Sequence, residues 1–165
     1  MTRITVISDT HIPQRALDLP PELWQRIEKS ELILHAGDIT ILSVLEKLVQ
    51  VAPVRAVRGN MDSQDIKYRL PNQDIVEIEG IRIGLAHGWG VPGEVKNLVR
   101  SLFQEQDPRV IIYGHSHQPD MIWEDGVLFL NPGSPTDRIF APYLSYAQIV
   151  IDQGRIVQSE IIRLN

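Results

Sequence analysis

Short β-branched runs in this chain end, one after another, in clusters of Asp, Asn, His and Gly, and between Ile4 and Asn60 they alternate with helix-like segments. Ile4–Ser8 reads as a buried strand running into Asp9-Thr10-His11. Leu23–Ser30 reads as a helix behind Pro20-Pro21, where proline is tolerated. Glu31–His35 is a second strand, ending at Ala36-Gly37-Asp38. Leu42–Val51 has helical spacing at Leu42, Leu45, Leu48 and Val49. Val54–Val57 is a third strand, ending at Arg58-Gly59-Asn60. Alternation of this kind predicts a parallel sheet with crossover helices. Ligands of such sheets bind beyond the carboxyl ends of the strands, where the polar clusters fall.

The remainder of the chain predicts hairpins. Ile75–Ile78 and Ile81–Ala86 flank Glu79-Gly80, Met121–Glu124 and Val127–Leu130 flank Asp125-Gly126, and Tyr146–Ile151 and Ile156–Ile162 flank Gln153-Gly154. Between them, Val91–Gln106 reads as a helix and Val110–Tyr113 as a strand ending at Gly114-His115. The expected architecture is two packed sheets with helices outside. With 165 residues and neither repeat nor linker, residues 1–165 are expected to form a single domain.

The hydrophobic fraction of 43% and charged fraction of 22% are those of a globular protein. Net charge is −5, from 21 acidic and 16 basic side chains, so the broad basic surface that duplex nucleic acid requires is not expected. Without cysteine there can be neither a disulfide framework nor a thiolate zinc site. The first residues, Thr2-Arg3-Ile4-Thr5-Val6-Ile7-Ser8-Asp9, are too short an apolar stretch for a signal peptide, and no segment approaches the roughly 20 apolar residues of a membrane span. A cytoplasmic location is expected, with a small molecule or a protein as partner, no membrane, and a homo-oligomer left open.

Four of the five histidines lie at predicted strand ends, within the clusters Asp9-Thr10-His11, His87-Gly88 and Gly114-His115-Ser116-His117. Two further clusters, Gly37-Asp38 and Gly59-Asn60-Met61-Asp62, complete the series. Residues two apart on an extended chain point to one side, so Asp9 and His11 can reach one ion, and His115 and His117 can serve one ion or one each. Carboxylate, imidazole and amide oxygen without sulfur suit Mn, Fe, Co, Ni or Zn. The candidates Asp9, His11, Asp38, Asn60, His87, His115 and His117 are too many for one ion and enough for two, with Asp38 as the natural bridge. Asp9, Asp38, a bridging hydroxide and a phosphodiester monoanion would together neutralise two divalent ions, which suits an anionic substrate and an anionic nucleophile. His35, inside its strand, is expected to be structural.

The order D-x-H, G-D, G-N-x-D, H-G, G-H-x-H resembles the calcineurin-like metallophosphoesterase superfamily from Ile4 to at least Ser134, and Asn131-Pro132-Gly133-Ser134 is similar to its compact YfcE-type phosphodiesterase subfamily. The resemblance implies a four-layer α/β sandwich: two mixed β-sheets packed face to face and flanked by helices. It implies two divalent ions, with Mn the leading expectation. Asp9, His11 and His117 would hold the first ion, Asn60, His87 and His115 the second, and Asp38 would bridge. Asp38 and Asn60 would be the catalytic residues of a phosphodiesterase using a bridging hydroxide. The family's usual motif has His where this chain has Met61, which removes the expected proton donor to the leaving group; Asp62 keeps at most an orienting role. The alternative is a non-catalytic scaffold similar to the retromer subunit of the same fold. Trp89 either stacks on a substrate ring, beside Asn60 as a substrate contact, or packs on the helix near Val91. Arg15, Arg58 and Arg138 lie near motif ends, where an Arg pairs with phosphate or is simply solvated.

Overall fold

The computed structural model describes residues 1–165. Strands β1 (Thr2–Ile7), β2 (Leu32–His35) and β3 (Val54–Ala56) run parallel, with Ile4 opposite Leu32 and His35 opposite Ala56. Helices α1 (Pro21–Ile27) and α2 (Leu42–Val51) make the two crossovers. Helix α3 (Gln64–Arg69) then leads into the second sheet, formed by β4 (Gln73–Ile78), β5 (Ile81–Ala86), β6 (Val110–Ile112), β7 (Asp120–Glu124) and β8 (Val127–Asn131), with α4 (Val95–Leu102) between β5 and β6. The closing hairpin of β9 (Ser145–Asp152) and β10 (Arg155–Arg163) returns to the first sheet. The strand orders are β10-β9-β1-β2-β3 and β4-β5-β6-β8-β7.

Alternation along the strands builds the layers. On β1, Ile4 and Val6 face the second sheet and pack with Leu34, Leu85, Ile112, Leu130 and Ile149. Ile7 faces the other way, toward Leu23 and Ile27 of α1, Val44 and Leu48 of α2 and Ile66 of α3. Outside the second sheet, Ile111 and Phe129 meet Val95 and Val99 of α4, with Phe103. Three buried clusters thus separate four layers, helix–sheet–sheet–helix, and burying each aliphatic side chain is worth roughly 1.5–3 kcal/mol. No helix is long and apolar enough to cross a membrane.

The three expected hairpins form, each through an X-Gly pair with both φ angles positive, such as Asp125 at 52° and Gly126 at 79°. Other expectations need correction. The helix expected over Val91–Gln106 is only Val95–Leu102, because Pro92-Gly93 supplies a turn before it. Helix α3 carries too few apolar residues to announce itself and buries only Ile66. The second sheet is not built of hairpins alone, since β5, β6 and β8 run parallel at its centre. Each sheet therefore contributes three parallel strands whose carboxyl ends face the same edge.

Candidate metal centre

All the polar clusters follow five of these six parallel strands. Asp9 and His11 follow β1, Asp38 follows β2, Asn60 follows β3, His87 follows β5, and His115 and His117 follow β6. The loops are stapled together by backbone bonds, Asp9 N–H to Gly37 O at 2.9 Å and His11 N–H to Asp38 O at 3.1 Å within one sheet. Across the sandwich, His115 N–H donates to Asp9 Oδ2 (3.0 Å) and His87 Nδ1 donates to Ala36 O (2.7 Å).

Convergence of these side chains has a different origin from the extended pairs expected. Asp9 (φ 53°), His11 (40°), Asp38 (57°), His115 (69°) and His117 (57°) are all left-handed. Each such non-glycine residue costs on the order of 1–3 kcal/mol, and strain of this kind persists where the surrounding structure enforces it. The chain turns at each strand end, which aims these side chains inward. Two glycines permit the close approach: a Cβ on Gly59 would lie 2.0 Å from Asp38 Oδ1, and one on Gly114 would lie 1.9 Å from Ser8 Oγ.

Two groups with metal-binding spacing result, Asp9 with His11 and His117, and Asp9 with Asp38 and His87. His117 Nε2 lies 3.3 Å from Asp9 Oδ1 and 3.2 Å from His11 Nε2. Asp38 Oδ2 is nearly equidistant from His11 Nε2 (3.4 Å) and His87 Nε2 (3.3 Å). Asn60 Oδ1 is 3.1 Å from His87 Nε2. His115 stands outside both groups, its ring centre 5.3 Å from that of His87. Its Nε2 donates to Gly90 O at 3.0 Å, so its lone pair is on Nδ1.

The donor set fits a cation. Asp9 is fully buried, and its Oδ1 has no hydrogen-bond partner, a costly state for an ionised oxygen. His87 and His117 commit Nδ1–H to fixed acceptors, Ala36 O and the Asp137 carboxylate, which leaves each Nε2 as a ligand atom aimed at the carboxylates. In the metal-free protein, protons supply part of the missing positive charge. Burial opposes a charged His87, but Asp9 and Asp38 outweigh it and raise its pKa to about 9. Burial likewise opposes His117, and Asp9 and Asp137 outweigh it. Burial pushes the Asp9 carboxyl up, yet His87 and contacts with His11 and His117 hold it well below the usual carboxylate range.

Other expected residues take varied places. His35 is buried, accepts Gly37 N–H at Nδ1 (3.1 Å) and contacts Thr10 Oγ1 (3.1 Å); burial lowers its pKa to about 3, so it is neutral and structural. Asp62 accepts backbone N–H groups from Thr40 (2.6 Å), Gly59 (2.6 Å) and Asp38 (3.2 Å), clamping the loops of Asp38 and Asn60 together. Met61 points outward, 61% exposed, while its N–H donates to Asp38 Oδ1 (2.8 Å). Trp89 is half exposed and lines a cleft beside Asn60 and His87, which also contains Arg58. Arg15 reaches Asp137 (3.5 Å) and lies over Phe140, on the rim of a second hollow. Arg138 lies apart, in a hollow with Tyr143 and Arg163.

The residue that sequence reasoning missed is Asp137, fully buried and bonded to His117. It follows β8, the sixth parallel strand, so the rule that found the other clusters applies to it once β8 is known to be parallel. The same loop fixes the site's backbone, through Ser134 Oγ to Asp9 O (2.7 Å), Thr136 Oγ1 to Thr10 O (2.6 Å) and Asn131 Nδ2 to Gly114 O (3.2 Å).

Comparison with known proteins places this geometry. The profile of the calcineurin-like phosphoesterase superfamily domain matches residues 2–154. A probable metallophosphoesterase of Methanothermobacter thermautotrophicus is 41% identical over 161 residues, covering 97% of this chain and 91% of that protein. A solution NMR structure of a Thermotoga maritima protein superposes at a TM-score of 0.78 with 34% identity, covering 99% of this chain and 100% of that one. Vps29 of Chaetomium thermophilum shares the fold at a TM-score of 0.81 with 22% identity, covering 99% and 95%. The fold, the ordered motifs and these matches agree: the chain belongs to the calcineurin-like phosphoesterase superfamily.

Proposed function

We propose that the protein is a phosphodiesterase that uses two divalent ions, with Mn the first candidate and Fe, Co, Ni and Zn the others its donor set suits. Asp9, His11 and His117 hold one ion. Asn60, His87 and His115, the last through Nδ1, hold the other. The observation that carries the reading is the position of Asp38 Oδ2, 3.4 Å from His11 and 3.3 Å from His87, where one carboxylate would be within reach of both ions. Such ions supply a water-derived nucleophile at neutral pH and polarise phosphoryl oxygens.

The chain's own residues favour a diester. Two hollows flank the ligands and both include Asn60, one of about 780 Å³ and one of about 530 Å³. A phosphodiester has two organic substituents to place, one in each hollow, with its phosphoryl group beside Asn60. Arg15 lies on the rim of the smaller hollow, its charge shared with Asp137. Position 61 has no proton to give, so esters with good leaving groups react best.

Bis-p-nitrophenyl phosphate is therefore the test substrate. Metal-reconstituted protein should contain two ions per chain, hydrolyse this diester in preference to p-nitrophenyl phosphate, and lose activity with chelator. Asp38→Asn should lose both ions, whereas His117→Ala should mainly weaken one. Protein that binds two ions yet hydrolyses no phosphoester would point instead to the scaffold reading.

A further inference from the structure

The larger hollow has a composition that ion binding leaves unexplained. Its lining contains no Asp or Glu, although the chain as a whole is acidic, with a net charge of −5. Arg58 and Lys67 both line it and both bond only to neutral acceptors: Arg58 Nε to Asn72 Oδ1 (2.6 Å), Arg58 Nη1 to Lys67 O (2.6 Å), and Lys67 Nζ to Asn60 O (3.0 Å). These bonds fix the two cations in place without neutralising them. Two large aromatic side chains, Tyr68 at 89% exposure and Trp89 at 46%, complete the wall, although burial would ordinarily favour such rings. Gln64 and Gln73 add amide groups suited to hydroxyls.

We propose that this cleft is a binding subsite for a small nucleotide, which forms the larger substituent of the phosphodiester and carries a second phosphate. The base lies against the exposed rings of Trp89 and Tyr68, and the second phosphate pairs with Arg58 and Lys67. The assignment rests on the phosphodiesterase reading for the position of the first phosphate, at Asn60 and His87 on the cleft's inner wall. A small nucleotide is favoured over a polynucleotide because the volume of about 780 Å³ falls within the roughly 300–1,000 Å³ of small-molecule sites. The negative net charge also opposes a long polyanion.

Calorimetric titration of the Mn-loaded protein reads the subsite without turnover. The probes are adenosine 3′,5′-bisphosphate, adenosine 5′-monophosphate and ribose 5-phosphate. The bisphosphate should bind about tenfold or more tightly than the monophosphate, as one charge-assisted contact provides. The monophosphate should in turn exceed ribose 5-phosphate. Arg58 also ties down the end of α3, so the Lys67 variants carry the charge test, with thermal melts to verify folding. Lys67→Gln should shrink the bisphosphate advantage and Lys67→Glu should abolish it. Trp89→Leu should erase the advantage of the base. Equal binding of bisphosphate and monophosphate to the unmodified protein, or a full advantage retained by folded Lys67→Glu, would overturn the proposal. So would a single-stranded oligonucleotide that binds more than about tenfold more tightly than the bisphosphate, given how strongly phosphate contacts add along a strand. Hydrolysis of bis-p-nitrophenyl phosphate without any bisphosphate preference would refute the subsite alone. Bisphosphate preference without hydrolysis of any phosphoester would keep the cleft as a nucleotide site and refute the phosphodiesterase reading.

Discussion

Replacing Asp62 should damage this protein in a graded way that its hydrogen bonds determine. The carboxylate is buried and accepts three backbone N–H groups, Thr40 N–H at Oδ1 and those of Gly59 and Asp38 at Oδ2. In Asp62→Asn one of the two oxygens becomes an NH2 group. The cheaper orientation puts that NH2 at Oδ1, which strands only the Thr40 N–H and places two donors face to face. One stranded buried donor costs roughly 1–3 kcal/mol. Burial disfavours the Asp62 anion and raises its pKa, so a neutral amide recovers a part of this. In Asp62→Ala all three donors lose their acceptor, for roughly 3–9 kcal/mol before any water enters. Urea unfolding of the chelator-treated proteins should therefore rank the unmodified chain above the Asn variant, and the Asn variant well above Ala. Calorimetric Mn titration should also show both variants losing affinity, since the clamp holds the backbone of Asp38 and of Gly59, next to Asn60. An Ala variant within about 1 kcal/mol of the unmodified protein, below the cost of a single stranded donor, would refute the clamp.

Two further outcomes follow from single contacts. Asp137→Asn removes the charge behind His117 Nδ1–H and should weaken Mn binding at the Asp9–His11–His117 ion by about 10–100-fold, leaving the other ion largely unaffected; titration that finds both affinities unchanged would discount Asp137 as a positioning residue. His35 has a folded pKa of about 3 against 6.5 ordinarily, so below pH 6.5 the unfolded chain takes up a proton that the folded one refuses, and stability falls as pH drops toward 3. The contribution approaches about 1.4 kcal/mol per pH unit, whereas the raised pKa values of His87 and His117 act only above pH 6.5. Denaturation midpoints of the metal-free protein between about pH 4.5 and 6.5 should show this slope flattened in His35→Asn; an unchanged slope would assign it to other groups.

Much of this molecule is written in local sequence. The runs Ile4–Ile7 and Leu32–His35 alternate between two apolar environments, because side chains on a strand alternate between faces. Glu79-Gly80, Asp125-Gly126 and Gln153-Gly154 specify hairpins, because tight turns of that kind need two residues with positive φ. Placing Asp, Asn and His after successive strands marked the edge where a site would form, since the parallel strands all end there. Tertiary structure alone decided the remainder. Strand periodicity says which face a residue occupies but not which strand lies beside it, so the pairing of β8 with β6, and with it the placing of Asp137 behind His117, depended on contacts between distant segments. The left-handed backbone at Asp9, His11, Asp38, His115 and His117 is enforced by neighbouring loops against local preference, which a local pattern cannot reveal. The acid-free cleft has the same origin: Arg58 and Tyr68 come from around α3 and Trp89 from beyond β5, and only the packing of one sheet on the other makes them neighbours.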